Sequence, residues 1–411
     1  MENPVSARVP VSLFQSLQPS NPAEPACRPV AGCYLATFLK PEMMHVYRQI
    51  TALRRYQPVV FTQKRENPAQ FPFEPVQVQP KPRTHALRRL WQKQILGRPI
   101  TMYRSEADRL LRKLRASDAS ILHVYFGHMG VHLLPLLEQK SLPTVVSFHG
   151  ADAQVDMDRP NHRACMQQAL TVATLLLVRS ESLGKHLVEL GADPGKIRLH
   201  RTGIPLEQIP MEAHAPPADG KWVCLQACRL IQKKGIPTTL RAFAHFRKTF
   251  PDSRLILAGD GPEEAALRAL AHSLGLDGRV EFTGFLSQEA LGRLRSEAHL
   301  FLHPSERSAN GDEEGVPNSL LESMASGLPV LASRHGGIPE AVDPGASGLL
   351  VDEGDWRALG EAMLGLAKSP ETYRSLSRTG RQHVLERFAL STQVAVLESA
   401  YDEARARFAG G

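Results

Sequence analysis

Cysteine is scarce in this sequence: Cys27, Cys33, Cys165, Cys224 and Cys228 are the five in 411 residues, with no C-x-x-C pair and no histidine at metal-ligand spacing. That pattern excludes a zinc ribbon or finger, and an odd count makes no disulfide framework, so a reduced, cytoplasmic protein is expected. Long apolar runs are missing too. Crossing a bilayer takes roughly 20 uninterrupted apolar residues, whereas the stretches near 121–137 and 170–178 are broken or short. The opening MENPVSARVPVSLFQSLQPSNPAEPACRPV scatters proline and charge and has no apolar core before a cleavage site, so a loose lead over residues 1–26 is expected and not a signal peptide. Neither G-x-G-x-x-G nor G-x-x-x-x-G-K-S/T occurs, and the sequence offers no convincing Asp-x-Asp metal site. No finger, ribonucleoprotein or helix-turn-helix pattern accompanies the basic charge, so nucleic acid is not the expected partner.

What is present is enough apolar sequence for two cores, with 42% hydrophobic and 22% charged residues in a chain too long for one ordinary core. Charge is uneven: 27 Lys and Arg stand against 15 Asp and Glu in residues 1–205, and 22 against 27 in residues 206–411. Much of the excess lies between Lys81 and Arg115, which holds eleven basic residues against Glu106 and Asp108 alone. This favours an anionic partner for the first half, with anionic membrane lipid on the inner face of a plasma membrane as the candidate surface, the alternative being a basic helix face that is simply solvated.

Short apolar runs bounded by turn residues alternate with helical spacing, the signature of parallel βαβ units. Strands are expected near 31–37, 57–62, 121–126, 143–148, 174–179 and 197–201, and a second series begins at Trp222 with WVCLQACRL, RLILAGDGP, VEFTGFL, HLFLHPS, PVLASRHGG and GLLVDEG. EMMHVYRQITALRR and the basic segment 84–115 read as helices, the latter interrupted at Pro99. Periodicity stops at MEAHAPPADGK, so the expected division is 27–210, a linker at 211–221, 222–386, and a closing helix over 387–411. The fold class is α/β: two Rossmann-like domains whose parallel sheets face each other across a cleft, with ligand-binding residues in the loops after the strands.

The densest such loop is HPSERSANGDEEGVPNSLLESMASGLPVLASRHGGIPE, residues 303–340. It leaves a strand and enters a helix near Val316 to Asn318, with Pro317 suited to the first turn, so free backbone N–H groups point into the cleft as an anion site. Glu314 precedes this helix and Glu322 lies within it, about 12 Å along at roughly 1.5 Å per residue. Two carboxylates so spaced can hold the hydroxyls of an elongated ligand, since an ionised carboxylate accepts from two adjacent donors. Alternatively Asp312, Glu313 and Glu314 serve only to favour the helix N-terminus, and Glu322 is a surface residue. CRLIQKKG places Arg229 and Lys234 across a strand-to-helix turn, where two cations can meet a diphosphate. VVSFHGAD puts His149, Gly150 and Asp152 directly after a strand, while His123 and His128 are expected as core or cleft-wall residues.

Together these segments resemble the family-four retaining glycosyltransferases of GT-B fold, and the likeness covers about residues 120–385. EGVPNSLLESMASGLPVLAS resembles that family's E-x7-E segment, CRLIQKKG its diphosphate loop, AGDGPE its next post-strand turn and HGAD its first-domain histidine motif. The resemblance implies that Glu314 contacts the transferred sugar and Glu322 the donor ribose. It further implies that Arg229, Lys234 and the segment of Gly315, Val316, Asn318 and Ser319 bind the diphosphate. Leu286 then lies beside the base, and His149, with Gly150 and Asp152 nearby, at the reacting centre. It implies a UDP- or GDP-linked sugar as substrate, no cofactor, a lipid-linked or saccharide acceptor, and the branch that builds bacterial surface polysaccharides. Many members carry a glycine pair after the first strand; this chain has TFLKPEMM, residues 37–44. A nucleotide-sugar epimerase or phosphorylase on the same scaffold, or a nucleotide-sugar sensor, is the rival expectation.

Overall fold

The computed structural model describes residues 28–40, 43–81, 85–95, 97–153, 159–309 and 314–410. Cys27, the expected N-terminal lead, Pro41 and Glu42 of the first post-strand loop, and Asp312 and Glu313 lie outside them.

The apolar runs of the first half become seven parallel strands: β1 (Val30–Phe38), β2 (Gln57–Arg65), β3 (Val76–Val78), β4 (Ala119–Tyr125), β5 (Thr144–Phe148), β6 (Leu175–Val178) and β7 (Ile197–Leu199), in the order β3-β2-β1-β4-β5-β6-β7. Those of the second half become β8 (Val223–Ala227), β9 (Arg254–Ala258), β10 (Val280–Gly284), β11 (Leu300–His303), β12 (Val330–Ser333) and β13 (Leu349–Val351), ordered β10-β9-β8-β11-β12-β13 and again parallel. Helices cover both sheets, so the inner strands β5, β6, β8, β11 and β12 are buried along their whole length and read as continuous apolar runs, while the outer strands β2, β3 and β10 keep partly exposed positions. Each order reverses once, between β1 and β4 and between β8 and β11. In open parallel sheets that reversal opens a crevice at the carboxyl ends of the strands.

Two sequence expectations need amending. β3 is three residues between Pro75 and Pro80, too short to show a period, and it pairs only with β2 at the sheet edge. The strand expected over 197–201 ends at Leu199, because the chain there turns toward the second domain. The basic stretch divides as its proline requires, into a helix over His85–Arg89 that continues as a π-helical turn over Leu90–Ile95, and a second helix over Arg104–Ala116. Arg88 is buried between them, paired with Glu106 and lying over the Tyr103 ring. Residues 211–221 carry no helix or strand. His123 is a fully buried core residue inside β4, whereas His128 is exposed on the helix Gly127–His132.

The chain ends in three helices, Trp356–Lys368, Pro370–Phe388 and Leu390–Ala409. The last packs Val394, Leu397, Ala400, Tyr401 and Ala404 against Ala31, Ile121, Val145 and Leu175 of the first sheet. Tyr401 Oη lies 2.7 Å from His123 Nδ1 within this apolar contact, and at its margins Glu398 accepts from the Arg54 and Arg55 N–H groups, Asp402 pairs with Arg55 and Glu403 with Arg198. Where this helix begins, Ile204 N–H donates to Phe388 O at 2.7 Å and Leu390 N–H to Ile204 O at 2.9 Å. The two places at which the chain passes between domains are therefore bonded side by side. Gly203 allows it: a Cβ there would sit 2.9 Å from Leu390 Cα.

Leu397 has no exposed surface, so Leu397→Ala is expected to cost about 2–5 kcal/mol, the usual range for a buried leucine. A lower urea midpoint reports it, and an unchanged midpoint means the last helix is not docked on the sheet.

Candidate active site

A cavity of about 400 Å³ lies at the carboxyl ends of both sheets, within the size range of small-molecule sites. Its floor is set by the turn after β8. Gly235 has φ +58°, and a Cβ there would fall 1.7 Å from Pro304 O, so only glycine lets this turn pass under the β11 loop. The preceding residue, Lys234, thereby delivers its ammonium to the Glu314 carboxylate. Arg229, in the same turn, lines the cavity and is exposed.

Glu314 is held by its backbone as well as its side chain. Its N–H donates to His335 Nε2 at 3.0 Å, and His335 Nδ1 lies 2.7 Å from Glu353 Oε1. An accepting Nε2 makes Nδ1 the protonated nitrogen, donating to the carboxylate. Gly337 N–H returns a bond to Glu314 O at 3.2 Å, and a Cβ on Gly336 would lie 2.0 Å from that oxygen. The glycine pair after β12 is thus the cradle for the Glu314–Gly315 segment. Burial alone raises the Glu314 carboxyl, but Lys234, with His303 and Lys233, outweighs it and holds the group down at about 2.

The helix Asn318–Ala325 follows, with Pro317 at its N-cap and no side chain capping it. Its first amides have no intrahelical partner; Asn318 and Ser319 line the cavity with Gly315 and Val316, so these donors and the positive end of the helix face it. One turn on, Glu322 is buried between Arg48 at 2.8 Å and Arg295 at 3.2 Å. Leu286 and the exposed Phe285 form an apolar wall beyond β10.

The first domain supplies the opposite wall. His149 Nδ1 lies 3.2 Å from His45 Nε2, and its Nε2 lies 3.1 Å from Ser147 Oγ. Burial pushes its pKa well below 6.5, and the charge of Arg179 adds to this, so the ring is neutral at physiological pH. A Cβ on Gly315 would come within 3.5 Å of His149 O, which shows how closely the two domains approach at this point.

Of the residues expected here from sequence, Glu314, Glu322, Arg229, Lys234, His149, Leu286, Gly315, Val316, Asn318 and Ser319 are brought together in the one cavity. Gly150 and Asp152 are not among its lining residues. Asp152 instead accepts N–H bonds from Gly127 at 2.7 Å and His149 at 2.8 Å, so it braces the loop that carries the histidine. Burial raises its pKa to about 6 against those bonds. Sequence reasoning missed Met44, His45 and Arg48, which enter the cavity from the helix Met44–Thr51, and Arg179 at the end of β6. Arg179 directly follows β6, the one signal that could have found it, whereas Met44, His45 and Arg48 lie on a helix six to ten residues beyond β1 and carry no such mark. Arg179 is buried, donating to Gln49 Oε1 at 2.7 Å and Arg201 O at 3.0 Å, and burial lowers its pKa to about 10. Among the described residues no group of three His, Cys, Asp or Glu is placed to hold a metal ion.

A second contact between domains lies beside the cavity. Glu340 accepts from the N–H groups of Glu181 at 2.9 Å and Ser182 at 3.1 Å, the first turn of the helix Glu181–Glu189, and pairs with Arg201 at 3.4 Å.

In Lys234→Met the Glu314 carboxyl stays buried and loses its main cation, so it is expected to titrate above its ordinary value of 4.5 instead of near 2. A carboxyl held low stabilises the fold above its ordinary value, so this contribution is complete above 4.5 in the unsubstituted chain and fades as pH falls toward about 2. Isotope-edited NMR titration of the glutamate carboxyls checks it; a midpoint that stays near 2 in the variant shows that Lys234 is not what holds Glu314 ionised.

Comparison with known proteins bears on both halves. Residues 44–208 match the family model described as Glycosyltransferase Family 4, and residues 211–383 the one described as Glycosyl transferases group 1. The chain is 34% identical over 256 residues to the amylovoran biosynthesis glycosyltransferase AmsK of Erwinia amylovora, covering 61% of this chain and 62% of that protein, so the match spans less than two thirds of that relative. It is 30% identical over 285 residues to WcaL of Salmonella typhimurium, named for colanic acid biosynthesis, covering 68% of this chain and 70% of that protein. Among solved structures, Anabaena HepE in complex with UDP superposes with a TM-score of 0.72 at 16% identity, over 91% of this chain and 100% of that one, a likeness of fold. With both sheets, their order and both family segments in agreement, the chain belongs to the family-four glycosyltransferases and has their two-domain GT-B fold.

Proposed function

We propose that this chain transfers a glycosyl group, with retention at the anomeric carbon, from a UDP- or GDP-linked sugar to a saccharide or lipid-linked acceptor in bacterial surface polysaccharide synthesis. The observation that carries the reading is the Lys234–Glu314 pair set beside the uncapped start of the helix Asn318–Ala325. A carboxylate for sugar hydroxyls and a cluster of positive donors for a diphosphate share one wall of the cavity. The relatives named for amylovoran and colanic acid biosynthesis support the pathway, and the UDP of HepE supports the donor class.

Negative charge grows on the diphosphate as its bond to the anomeric carbon breaks. Lys234, Arg229 and the amides of Asn318 and Ser319 are preorganised to meet that charge, which is where an electrostatic contact lowers a barrier most. The acceptor hydroxyl attacks from the face the diphosphate leaves, its oxygen forms the new bond, and its proton passes to the departing phosphate. Glu314 orients the transferred sugar, and neutral His149 offers hydrogen bonding from the acceptor side without adding charge. Since the protein supplies the cations, turnover proceeds without added metal.

The same chain meets anionic membrane where a lipid-linked acceptor is presented. Leu87, Leu90, Trp91 and Ile95 are 70%, 55%, 56% and 59% exposed on a single helical segment, with Arg89, Arg98 and Arg104 exposed around them. Apolar side chains set among cations are the makeup of an interfacial helix. Among the described residues no helix is long and apolar enough to cross a membrane.

A panel of nucleotide sugars, with chelator and no added metal, tests the enzymatic reading through nucleoside diphosphate release. One donor is expected to turn over, and Glu314→Ala to slow it about a hundredfold or more, the scale of losing one transition-state contact. Neither turnover nor thermal stabilisation with any nucleotide or nucleotide sugar overturns the reading; a strict requirement for manganese or magnesium overturns its metal-free form. For the membrane, Leu90→Asp with Trp91→Asp is expected to abolish co-sedimentation with anionic vesicles at low salt. Equal binding of the unsubstituted chain to neutral and anionic vesicles counts against it.

A further inference from the structure

Glu322, which the reading above gives to the donor ribose, already has two cationic partners. Arg295 Nη1 holds Oε2 at 3.2 Å and Arg48 Nη1 holds Oε1 at 2.8 Å. They differ in origin. Arg295 sits on the second-domain helix Gln288–Glu297 and is 7% exposed, a fixed counter-ion beneath the carboxylate. Arg48 comes across the cleft from the helix Met44–Thr51 and lines the same cavity as Arg229, Lys234 and Asn318. One carboxylate needs one cation, and a second guanidinium leaves this nearly water-excluded trio with a net positive charge. Such an excess is costly in a poorly solvated place unless an anion comes to it.

A ribose presents two neighbouring hydroxyl donors, and each oxygen of a carboxylate can accept two bonds. Oε2 already accepts one from Arg295 and Oε1 one from Arg48, the partner that reaches in from the cleft, so Arg48 is the group with which an incoming diol competes. A neutral diol does not displace a charge-assisted bond unaided, but a diphosphate offers Arg48 a better, bidentate partner. That partner is near: Glu322 lies four residues beyond Asn318, about 6 Å along the helix at about 1.5 Å per residue, within the swing of an arginine side chain.

We propose that Arg48 is a donor-binding residue contributed by the first domain, which exchanges Glu322 Oε1 for the donor's diphosphate as the ribose hydroxyls take its place. The proposal rests on the assignment of Glu322 to the ribose. Its consequence is that phosphate and ribose recognition become a single event, since a nucleoside must compete with Arg48 whereas a nucleoside diphosphate redirects it. It also gives a role to the segment after β1, which lacks the glycine pair and leads into the helix that presents this cation.

The test is the affinity of the full chain for UDP, uridine, GDP and guanosine, by calorimetry or competition, with and without Arg48→Gln. For the base the protein prefers, Arg48→Gln is expected to weaken the diphosphate by about tenfold or more, the worth of a hydrogen bond to a charged group. The nucleoside is expected to bind as tightly as before or more tightly. Equal weakening of both makes Arg48 a structural strut, and equal tightening of both makes it a plain obstruction; either overturns the proposal. Arg48→Lys, which keeps a cation on the helix, is expected to retain most of the preference for diphosphate over nucleoside and guards against a variant that fails to fold. If the unsubstituted chain binds no nucleoside diphosphate, the donor assignment itself has failed, a result distinct from a pair of affinities that move together.

Discussion

A buried carboxylate is costly unless its charge is met and its position fixed, and the second domain is arranged around meeting that demand at Glu314. Lys234 provides the charge, and it arrives only because Gly235 lets the β8 turn run against the carbonyl of Pro304. His335, oriented by Glu353, and the glycines after β12 hold the backbone. Three post-strand loops, from β8, β11 and β12, therefore converge on one side chain. None of them can shift without either stranding a charge or opening a backbone hydrogen bond. That rigidity sets the starting point of the helix Asn318–Ala325, and with it the direction in which free amides point into the cavity.

The first domain is bound to this frame mainly through ions. Arg48 reaches Glu322, and Glu340 reaches the opening turn of Glu181–Glu189. Each contact sets a charged side chain of one domain against a partner of the other, which fixes orientation more than it adds stability. His149 approaches Gly315 by its backbone carbonyl, so the two walls of the cavity meet closely there.

Much of this was legible in the sequence, and for physical reasons. Strands buried on both faces are written as apolar runs, so all but β3 could be located, and β3 failed because VQV between prolines has no period to read. The second-domain site was legible because its residues share one local segment: 303–340 carries Glu314, the helix start, Glu322 and the glycine cradle in order. The first-domain share was not. Arg48 and Glu322 are 274 positions apart, and nothing in EMMHVYRQITALRR separates an arginine that crosses a cleft from one that faces water. Asp152 shows the reverse failing: a carboxylate three residues from a candidate catalytic position looks chemical, yet its oxygens accept from backbone amides.

The paired crossings at Ile204 and Leu390 bear on how such a molecule opens. Two polypeptide connections tied at one place, with Gly203 pressed against Leu390, act as the spine of a book: they resist sliding and separation but leave rotation about themselves soft. Because the last helix is fastened to the first sheet by Leu397 and Tyr401, that rotation carries it along as part of the first cover. The pages then part at the edge farthest from the spine, and the reach of the ions between the covers, Arg48 to Glu322 and Glu340 to Arg201, sets how far they turn before those grips are lost.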